Sequence, residues 1–275
     1  MACNIDSDEE NAVRIVVCMK QVSDLSQLRF KSDGRTPVIE GLPVLLGEFE
    51  KNALEEAVRI KEASEDVQVI ALAAGTGKLK ESIKEALAIG ADEAVLVNDP
   101  ALAGSDAAAS ARVLAAAIEK IGDVDLIMLG EGSDDEYSSQ IPSRLAELLE
   151  LPQITTVRAL ELGEGGRVRA TRDLEAFLEI VECDPPVVIS ATSELNTPRL
   201  PPLTAILKAG RKPTQEWTLE DVGLSAEQVG ADATQIEVLS NLAPEQARKN
   251  VMLEGTLEEQ IDALIRALEH EGVLS

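Results

Sequence analysis

Four short segments of this chain carry the small, hydroxylic and charged residues that hold phosphate and sugar oxygens. They are Met19-Lys20-Gln21-Val22-Ser23-Asp24, Ala74-Gly75-Thr76-Gly77, Gly104-Ser105-Asp106-Ala107 running on to Ser110, and Gly130 through Gln140. Glycine and alanine at such points let backbone N–H groups approach an anion, and the hydroxyls of Ser105, Ser138 and Ser139 donate to phosphate or ribose oxygens. Any one segment is better explained as helix capping, because Gly, Ser and Asp open helices in most α/β proteins. Together, the loops at 18–24, 74–77, 104–110 and 130–140 are expected to enclose a nucleotide. Neither G-x-G-x-x-G nor G-x-x-x-x-G-K-[ST] occurs, which counts against dinucleotide-fingerprint and P-loop readings.

Other chemistries are poorly served. His270 is the single histidine and falls near the end of a helical pattern, where an imidazole suits the helix C-terminal dipole, so histidine-dependent triads are excluded. Cys3, Cys18 and Cys183 are odd in number and in no C-x-x-C spacing, indicating neither a disulfide framework nor a zinc site. No metal ligand set and no catalytic residue is assigned.

Loops of this kind need a scaffold, and the order of elements supplies one. Residues 13–19, Val-Arg-Ile-Val-Val-Cys-Met, form a short β-branched run typical of a parallel strand buried on both faces. Asp33-Gly34 marks a turn within a hairpin over 28–38. Apolar residues at helical spacing give an amphipathic helix over 48–63. Strands over 67–74, 94–97 and 126–129 then alternate with helices over 82–89, 107–121 and 138–149. Such alternation predicts βαβ crossovers, hence an α/β fold with a Rossmann-like, doubly wound, mainly parallel sheet. In that fold ligands lie outside the carboxyl ends of the strands, where the four loops fall.

After Pro152 the texture changes. Residues 155–162 and 167–171 flank Gly163-Glu164-Gly165-Gly166 as two antiparallel edge strands, and 187–191 is a further strand behind Pro185-Pro186. Four prolines within 197–213 and no sustained period predict an exposed loop leading to a linker. Near the end, Thr256 and Glu259 form a capping box ahead of Ile261, Leu264, Ile265 and Leu268 on one helix face. The expected division is therefore an α/β domain over 1–205 and a C-terminal linker and arm over 206–275.

Composition narrows the partners. The 275 residues suit one principal domain plus an extension. A net charge of −25, with 25 basic against 50 acidic residues, repels phosphate backbones and anionic membranes. Aromatic residues make up 2%, so stacking platforms for bases are scarce and nucleic-acid binding is not expected. The acidic run over 6–10 is unlike a signal peptide, and no apolar run approaches the ~20 residues needed to span a bilayer, so a cytoplasmic protein without membrane insertion is expected.

Three further segments carry a resemblance. Val17-Cys18-Met19-Lys20-Gln21-Val22, residues 53–62 (Ala-Leu-Glu-Glu-Ala-Val-Arg-Ile-Lys-Glu) and residues 85–92 (Glu-Ala-Leu-Ala-Ile-Gly-Ala-Asp) resemble successive signatures of the electron-transfer flavoprotein β subunit. Leu195-Asn196-Thr197-Pro198-Arg199-Leu200 resembles that family's recognition loop, here 193–202. The resemblance implies a domain of the adenine-nucleotide hydrolase-like kind without hydrolase activity. It also implies a heterodimer with an α subunit that carries a mobile FAD, and docking of an acyl-CoA or other flavin dehydrogenase through Leu195, Asn196, Pro198 and Arg199. The nucleotide held by such a subunit is AMP in the ordinary type and a second FAD in the electron-bifurcating type. Residues 104–110, 217–223 and the closing segments from Leu253 and Gly272 resemble the bifurcating type, which favours FAD with AMP as the alternative. The implied nucleotide contacts are Cys18, Lys20, Gln21, Asp24, Ala74, Gly75, Gly104, Ser105, Asp106, Ala107, Ser110, Gly130, Gly132, Asp135, Ser138, Ser139 and Gln140.

The chain departs from that family at several of these points. Gly47-Glu48 stands where Asn-Pro is usual, Gly132-Ser133-Asp134-Asp135 replaces a Gln-Ala-x-Asp pattern, Ala107 replaces Thr, and Ala176-Phe177 replaces a glycine pair. These changes bear on which nucleotide is held. A nucleotide-binding regulatory protein of the same fold, acting as a homodimer without redox function, is the reading from another class. A hydrolase or ligase finds no convincing nucleophile or base.

Overall fold

A computed structural model describes residues 13–64, 66–163, 166–245 and 250–274. Cys3, the acidic run over 6–10 and the Glu164-Gly165 pair of the expected turn lie outside the described residues. From Val13 the elements are β1 (Val13–Met19), β2 (Gln21–Ser23), β3 (Arg29–Phe30), β4 (Pro37–Val38) and β5 (Val44–Leu46). Next come α1 (Glu48–Ala63), β6 (Val67–Gly75), α2 (Leu79–Ile89), β7 (Glu93–Asn98), α3 (Ala107–Ile121), β8 (Leu126–Gly130) and α4 (Ile141–Leu148). Then follow β9 (Gln153–Leu162), β10 (Val168–Asp173), β11 (Leu178–Cys183), β12 (Val187–Ala191), α5 (Leu203–Ala209), β13 (Thr214–Trp217), α6 (Gly230–Ala233) and α7 (Leu257–His270).

Nine strands form one sheet in the order β11-β10-β9-β12-β8-β1-β6-β7-β13. All neighbouring pairs are parallel except β9 with β10 and β10 with β11. This is the α/β fold expected. Alternation within each strand splits the apolar residues between two cores. Ile15, Val17 and Met19 pack with Leu54, Ala57, Ile83 and Leu87 of α1 and α2. Val16 and Cys18 pack with Val113, Ala117 and Leu145 of α3 and α4. Burial on both faces is why the central strands read as unbroken apolar runs. The strand order reverses direction of growth on either side of β1, so the loops after β1 and β8 part from each other and leave a crevice at their carboxyl ends.

The chain divides into two compact units, one of residues up to Leu28 with Ile39–Leu239, the other of Arg29–Val38 with Ser240 onward. The first unit passes the boundary expected at 205. Within 197–213, residues Leu203–Ala209 form α5 rather than an open loop. Lys212 Nζ then donates to the carbonyls of Leu87 (2.8 Å) and Ala91 (2.6 Å), and β13 pairs with β7. A seven-residue helix and a four-residue edge strand are too short to show a period among prolines. β11 was also missed, because Leu-Glu-Ile-Val-Glu-Cys mixes apolar and acidic residues on both faces, with Leu178 and Ile180 exposed.

In the second unit, β3 and β4 form the expected hairpin around Gly34, whose φ is +68°. The Asp33 carboxylate accepts from the N–H groups of Arg35 and Thr36, both at 2.9 Å, and with the Thr36 hydroxyl these hold it down to about 2. Arg35 reaches the later chain: its Nε donates to the Ala243 carbonyl at 3.1 Å and its Nη1 meets Glu245 at 2.6 Å. α7 begins at the predicted capping box of Thr256 and Glu259. No helix among the described residues is long and apolar enough to cross a membrane.

Candidate functional site

At the carboxyl end of β1 the chain leaves the sheet through Cys18, Met19 and Lys20. Lys20 Nζ bonds Asp135 Oδ1 at 2.7 Å and Ser133 Oγ at 3.2 Å, and the Ser133 hydroxyl donates to Asp135 at 2.7 Å. Burial works to raise the Asp135 carboxyl, but Lys20, Ser133 and the Glu136 N–H prevail and hold it below the usual carboxylate range. This triad ties the loop after β8 to the end of β1 across a sequence separation of more than a hundred residues.

The loop after β8 is shaped by close approaches. A Cβ at Gly130 would stand 2.6 Å from the Phe49 Cβ, and one at Gly132 would stand 2.5 Å from the Tyr137 ring. Phe49 and Tyr137 pack with ring centroids 5.4 Å apart, and the Tyr137 hydroxyl donates to Glu131 at 2.9 Å. Tyr137 and Ser139 both take positive φ, +44° and +53°, turning the chain sharply into α4. Pro142 sits in the first turn of α4, and the side chain of the N-cap residue Gln140 is engaged by Arg144 at 2.8 Å rather than by the helix. The hydroxyls of Ser138 and Ser139 therefore face the crevice with no hydrogen bond among the described residues.

The α3 end is more occupied. Asp106 caps α3 by accepting from the Ala109 N–H at 2.9 Å and from the Thr234 hydroxyl at 2.8 Å, and Ser105 Oγ accepts from the Gly230 N–H at 2.9 Å. Gly104, φ +76°, presses on Ala231.

These ends enclose a cavity of about 260 Å³. Cys18, Lys20, Ala74, Ser105, Asp106, Ala107, Ser110, Gly130, Gly132, Asp135, Ser138, Ser139 and Gln140 line it as one cluster. Four expected residues stand outside its walls. Gln21 donates to Ser82, and Asp24 caps a short 3-10 turn through Ser26 at 3.0 Å. Gly75 accepts from the Asp99 N–H at 3.2 Å, and Gly104 serves the packing just described. Outside the expected loops, sequence reasoning missed Glu50, Leu114, Leu129, Ile141 and Pro142 in the lining; Ser133 and Glu136 fall within the expected loop over 130–140 without having been singled out. Gly47 is the signal that could have found Glu50, since the Glu50 carboxylate fills the space a Cβ at Gly47 would take. Glu50 is 5% exposed, and burial, with the carboxylates of Asp134 and Asp135, pushes it up to about 7 against its own backbone N–H and Lys20. Burial and the Glu50 charge push the Cys18 thiol up to about 12, so it is an unreactive wall rather than a nucleophile.

The loop over 193–202 is pinned to α1. Asn196 Nδ2 donates to the Asn52 carbonyl at 3.0 Å and to Glu56 at 2.9 Å. Arg199 forks onto Glu55 at 2.8 and 3.1 Å and also meets Glu62. Burial alone would raise the Glu55 carboxyl, but Arg199 and Arg59 hold it below the usual range. Leu195 packs its side chain partly on the core of α1 and α2, whereas Leu200 is 93% exposed.

The fold and crevice define a class, an α/β domain that can receive a small polar ligand at the carboxyl ends of its strands. A family model described as the electron transfer flavoprotein domain matches residues 40–222, and the chain belongs to the electron transfer flavoprotein family. It is similar to caffeyl-CoA reductase-Etf complex subunit CarD of Acetobacterium woodii, 33% identical over 95% of this chain and 100% of that one. It is also similar to the electron transfer flavoprotein subunit beta of Thermoanaerobacterium thermosaccharolyticum, 34% identical over 95% of this chain and the whole relative. The subunit beta of Methylophilus methylotrophus is 34% identical over 93% of this chain and 98% of its own length.

Proposed function

We propose that this chain is the β subunit of an electron-transfer flavoprotein, that it pairs with an α subunit, and that its crevice holds the adenylate part of a second FAD. The observation that carries the reading is the crevice itself. Thirteen of the residues expected at a nucleotide line one cavity where strands β1, β6 and β8 end. The group fits the donors present: uncommitted Ser138 and Ser139 hydroxyls and the open N-terminus of α4 suit phosphate oxygens. Bound FAD would supply the electron carrying. The chain's own residues would orient it, with Lys20 and Asp135 fixing the loop wall and Cys18, Leu114 and Leu129 excluding water from the buried side.

One observation favours AMP instead. At about 260 Å³ the cavity lies just under the ~300–1,000 Å³ of drug-sized sites, which suits a mononucleotide and would leave a flavin ring at the rim. Denaturing the purified αβ pair and quantifying released flavin and AMP tests both readings. Flavin in excess of one per pair with no AMP is expected; one flavin with stoichiometric AMP selects the ordinary type. A colourless, nucleotide-free complex would reject both.

We further propose that the loop over 193–202 docks a flavin dehydrogenase and that residues 206–275 include the arm that reaches the α subunit. The support is the family resemblance, the exposure of Leu200, and the apolar residues Leu257, Ile261, Leu264 and Ile265 left exposed on α7.

A further inference from the structure

The crevice wall at the start of α3 is held from outside by a segment that does not itself line the cavity. Residues 219–234 run back along α3 toward its first turn. Leu219, Val222 and Val229 are buried in the core shared with α3 and α4. Lys120 donates to the Asp221 carbonyl at 2.6 Å, and Arg112 to the Gln228 carbonyl at 2.5 Å. The segment then closes on the α3 end. The Gly230 N–H donates to Ser105 Oγ at 2.9 Å, the Ala231 N–H to the Ala103 carbonyl at 3.1 Å, and the Thr234 hydroxyl to Asp106 at 2.8 Å. Ser105 and Asp106 line the cavity, whereas none of residues 219–234 does.

Two details of this contact bear on a ligand. Gly230 is buried with φ +74°, and a Cβ there would collide with the Ala101 carbonyl oxygen, so only glycine brings its N–H to the Ser105 hydroxyl. A hydroxyl carries one proton and two lone pairs. Because Ser105 Oγ already accepts from Gly230, and its proton has no acceptor among the described residues, the O–H is left to donate to what fills the crevice. Asp106, by contrast, is spent on the Ala109 N–H and the Thr234 hydroxyl as the cap of α3.

Resting on the nucleotide reading above, we propose that residues 229–234 are a strap that completes the nucleotide site without touching the ligand. Gly230 is the positioning residue that fixes the Ser105 hydroxyl as a donor to an oxygen of the bound nucleotide. Thr234 holds Asp106, and with it the first turn of α3, in register with that hydroxyl. A serine hydroxyl that is free to rotate must be ordered when a ligand binds, and fixing it beforehand removes that cost. The strap acts through one hydrogen bond, so its removal loses what Ser105 contributes and no more.

The test is calorimetric titration of AMP and, separately, FAD into the full-length chain copurified with its α subunit. The pair is first freed of the nucleotide this chain holds, with the α-subunit flavin retained, and affinity is read on whichever ligand binds the wild type more tightly. Gly230→Ala, which drives the strap away, and Ser105→Ala, which removes the donor, should each weaken binding roughly tenfold, as for one hydrogen bond to a charged acceptor. The double variant should bind no more weakly than Ser105→Ala alone. Thr234→Val should also weaken binding, and Thr234→Ser, which keeps the hydroxyl, should restore it; this pair carries the test if Gly230→Ala does not fold. Gly230→Ala or Thr234→Val with a lowered melting temperature and unchanged affinity would make the strap a packing element only. A double variant weaker than Ser105→Ala by a further tenfold, or Thr234→Ser as weak as Thr234→Val, would equally overturn the inference while leaving the nucleotide site standing. A wild type that binds neither AMP nor FAD would instead remove the nucleotide reading, and this one with it.

Discussion

At the residue scale, one carboxyl has been placed where folding alone would not want it. Glu50 is raised from 4.5 to about 7, so the folded state holds a proton that the unfolded chain has already released. The sign follows from linkage: stability from this group is fully present below pH 4.5 and is lost as pH rises to about 7. Glu50→Gln has no such loss. Chemical denaturation of the nucleotide-free complex should show the variant gaining on the wild type across that window, by of order 3 kcal/mol at pH 8. A difference that does not vary between pH 4 and 8 would mean that Glu50 titrates alike in the folded and unfolded chain.

At the element scale, α1 serves two clients. Its first turn supplies Glu50 to the crevice, and its later turns supply Asn52, Glu55, Glu56 and Glu62 to the loop over 193–202. The buried acids on this helix are therefore clamps for a loop that is far away in sequence. Arg199→Ala would leave Glu55, with a side chain 3% exposed, short of its main partner. Arg199 is a third exposed, so the cost should be roughly 2 kcal/mol, below the ~3–5 kcal/mol of fully buried pairs, read as a lower denaturation midpoint. If the loop docks a dehydrogenase, Leu195→Ala and Leu200→Ala should both weaken that docking without altering cofactor content. Because Leu195 is partly packed on the core, only its replacement should also lower thermal stability. Equal stability of the two variants, measured by thermal melting, would contradict the placement of Leu195.

At the scale of the whole molecule, the unit of Arg29–Val38 and Ser240 onward is small and leaves many apolar side chains exposed, with no sheet of its own among the described residues beyond a two-residue pairing. Its largest helix is amphipathic, yet has no buried residue. An apolar stripe left exposed among the described residues is the surface by which the proposed arm would meet the α subunit. Deleting residues 250–275 should reduce copurification of the α subunit on affinity purification while leaving the secondary structure of the nine-stranded unit intact; full retention of α would remove the arm from the interface. The strongly acidic surface, −25 overall, would keep either form soluble.

Local chemistry in the sequence was enough for the central strands, because residues buried on both faces form apolar runs such as Val13–Met19, and for α1, α3 and α7, whose periods and caps are long enough to read. The strand-end loops also announced themselves, since close turns and helix starts demand particular residue types. What the sequence could not state is which polar residues of those loops face one another. Asp24 and Gln21 share a segment with Lys20, yet they turn to Ser26 and Ser82 while Lys20 crosses to Asp135. β13 and α5 escaped because their pairing or packing is with elements distant in the chain and short segments carry no periodic signal of their own, whereas β11, paired with its neighbour β10, mixes apolar and acidic residues on both faces. Glu50 shows the limit most clearly. Gly47 leaves room for the Glu50 carboxyl, but whether that acid is buried is decided only when β8 is laid beside β1 and its loop closes over the start of α1, for burial and charge are properties of neighbours in space.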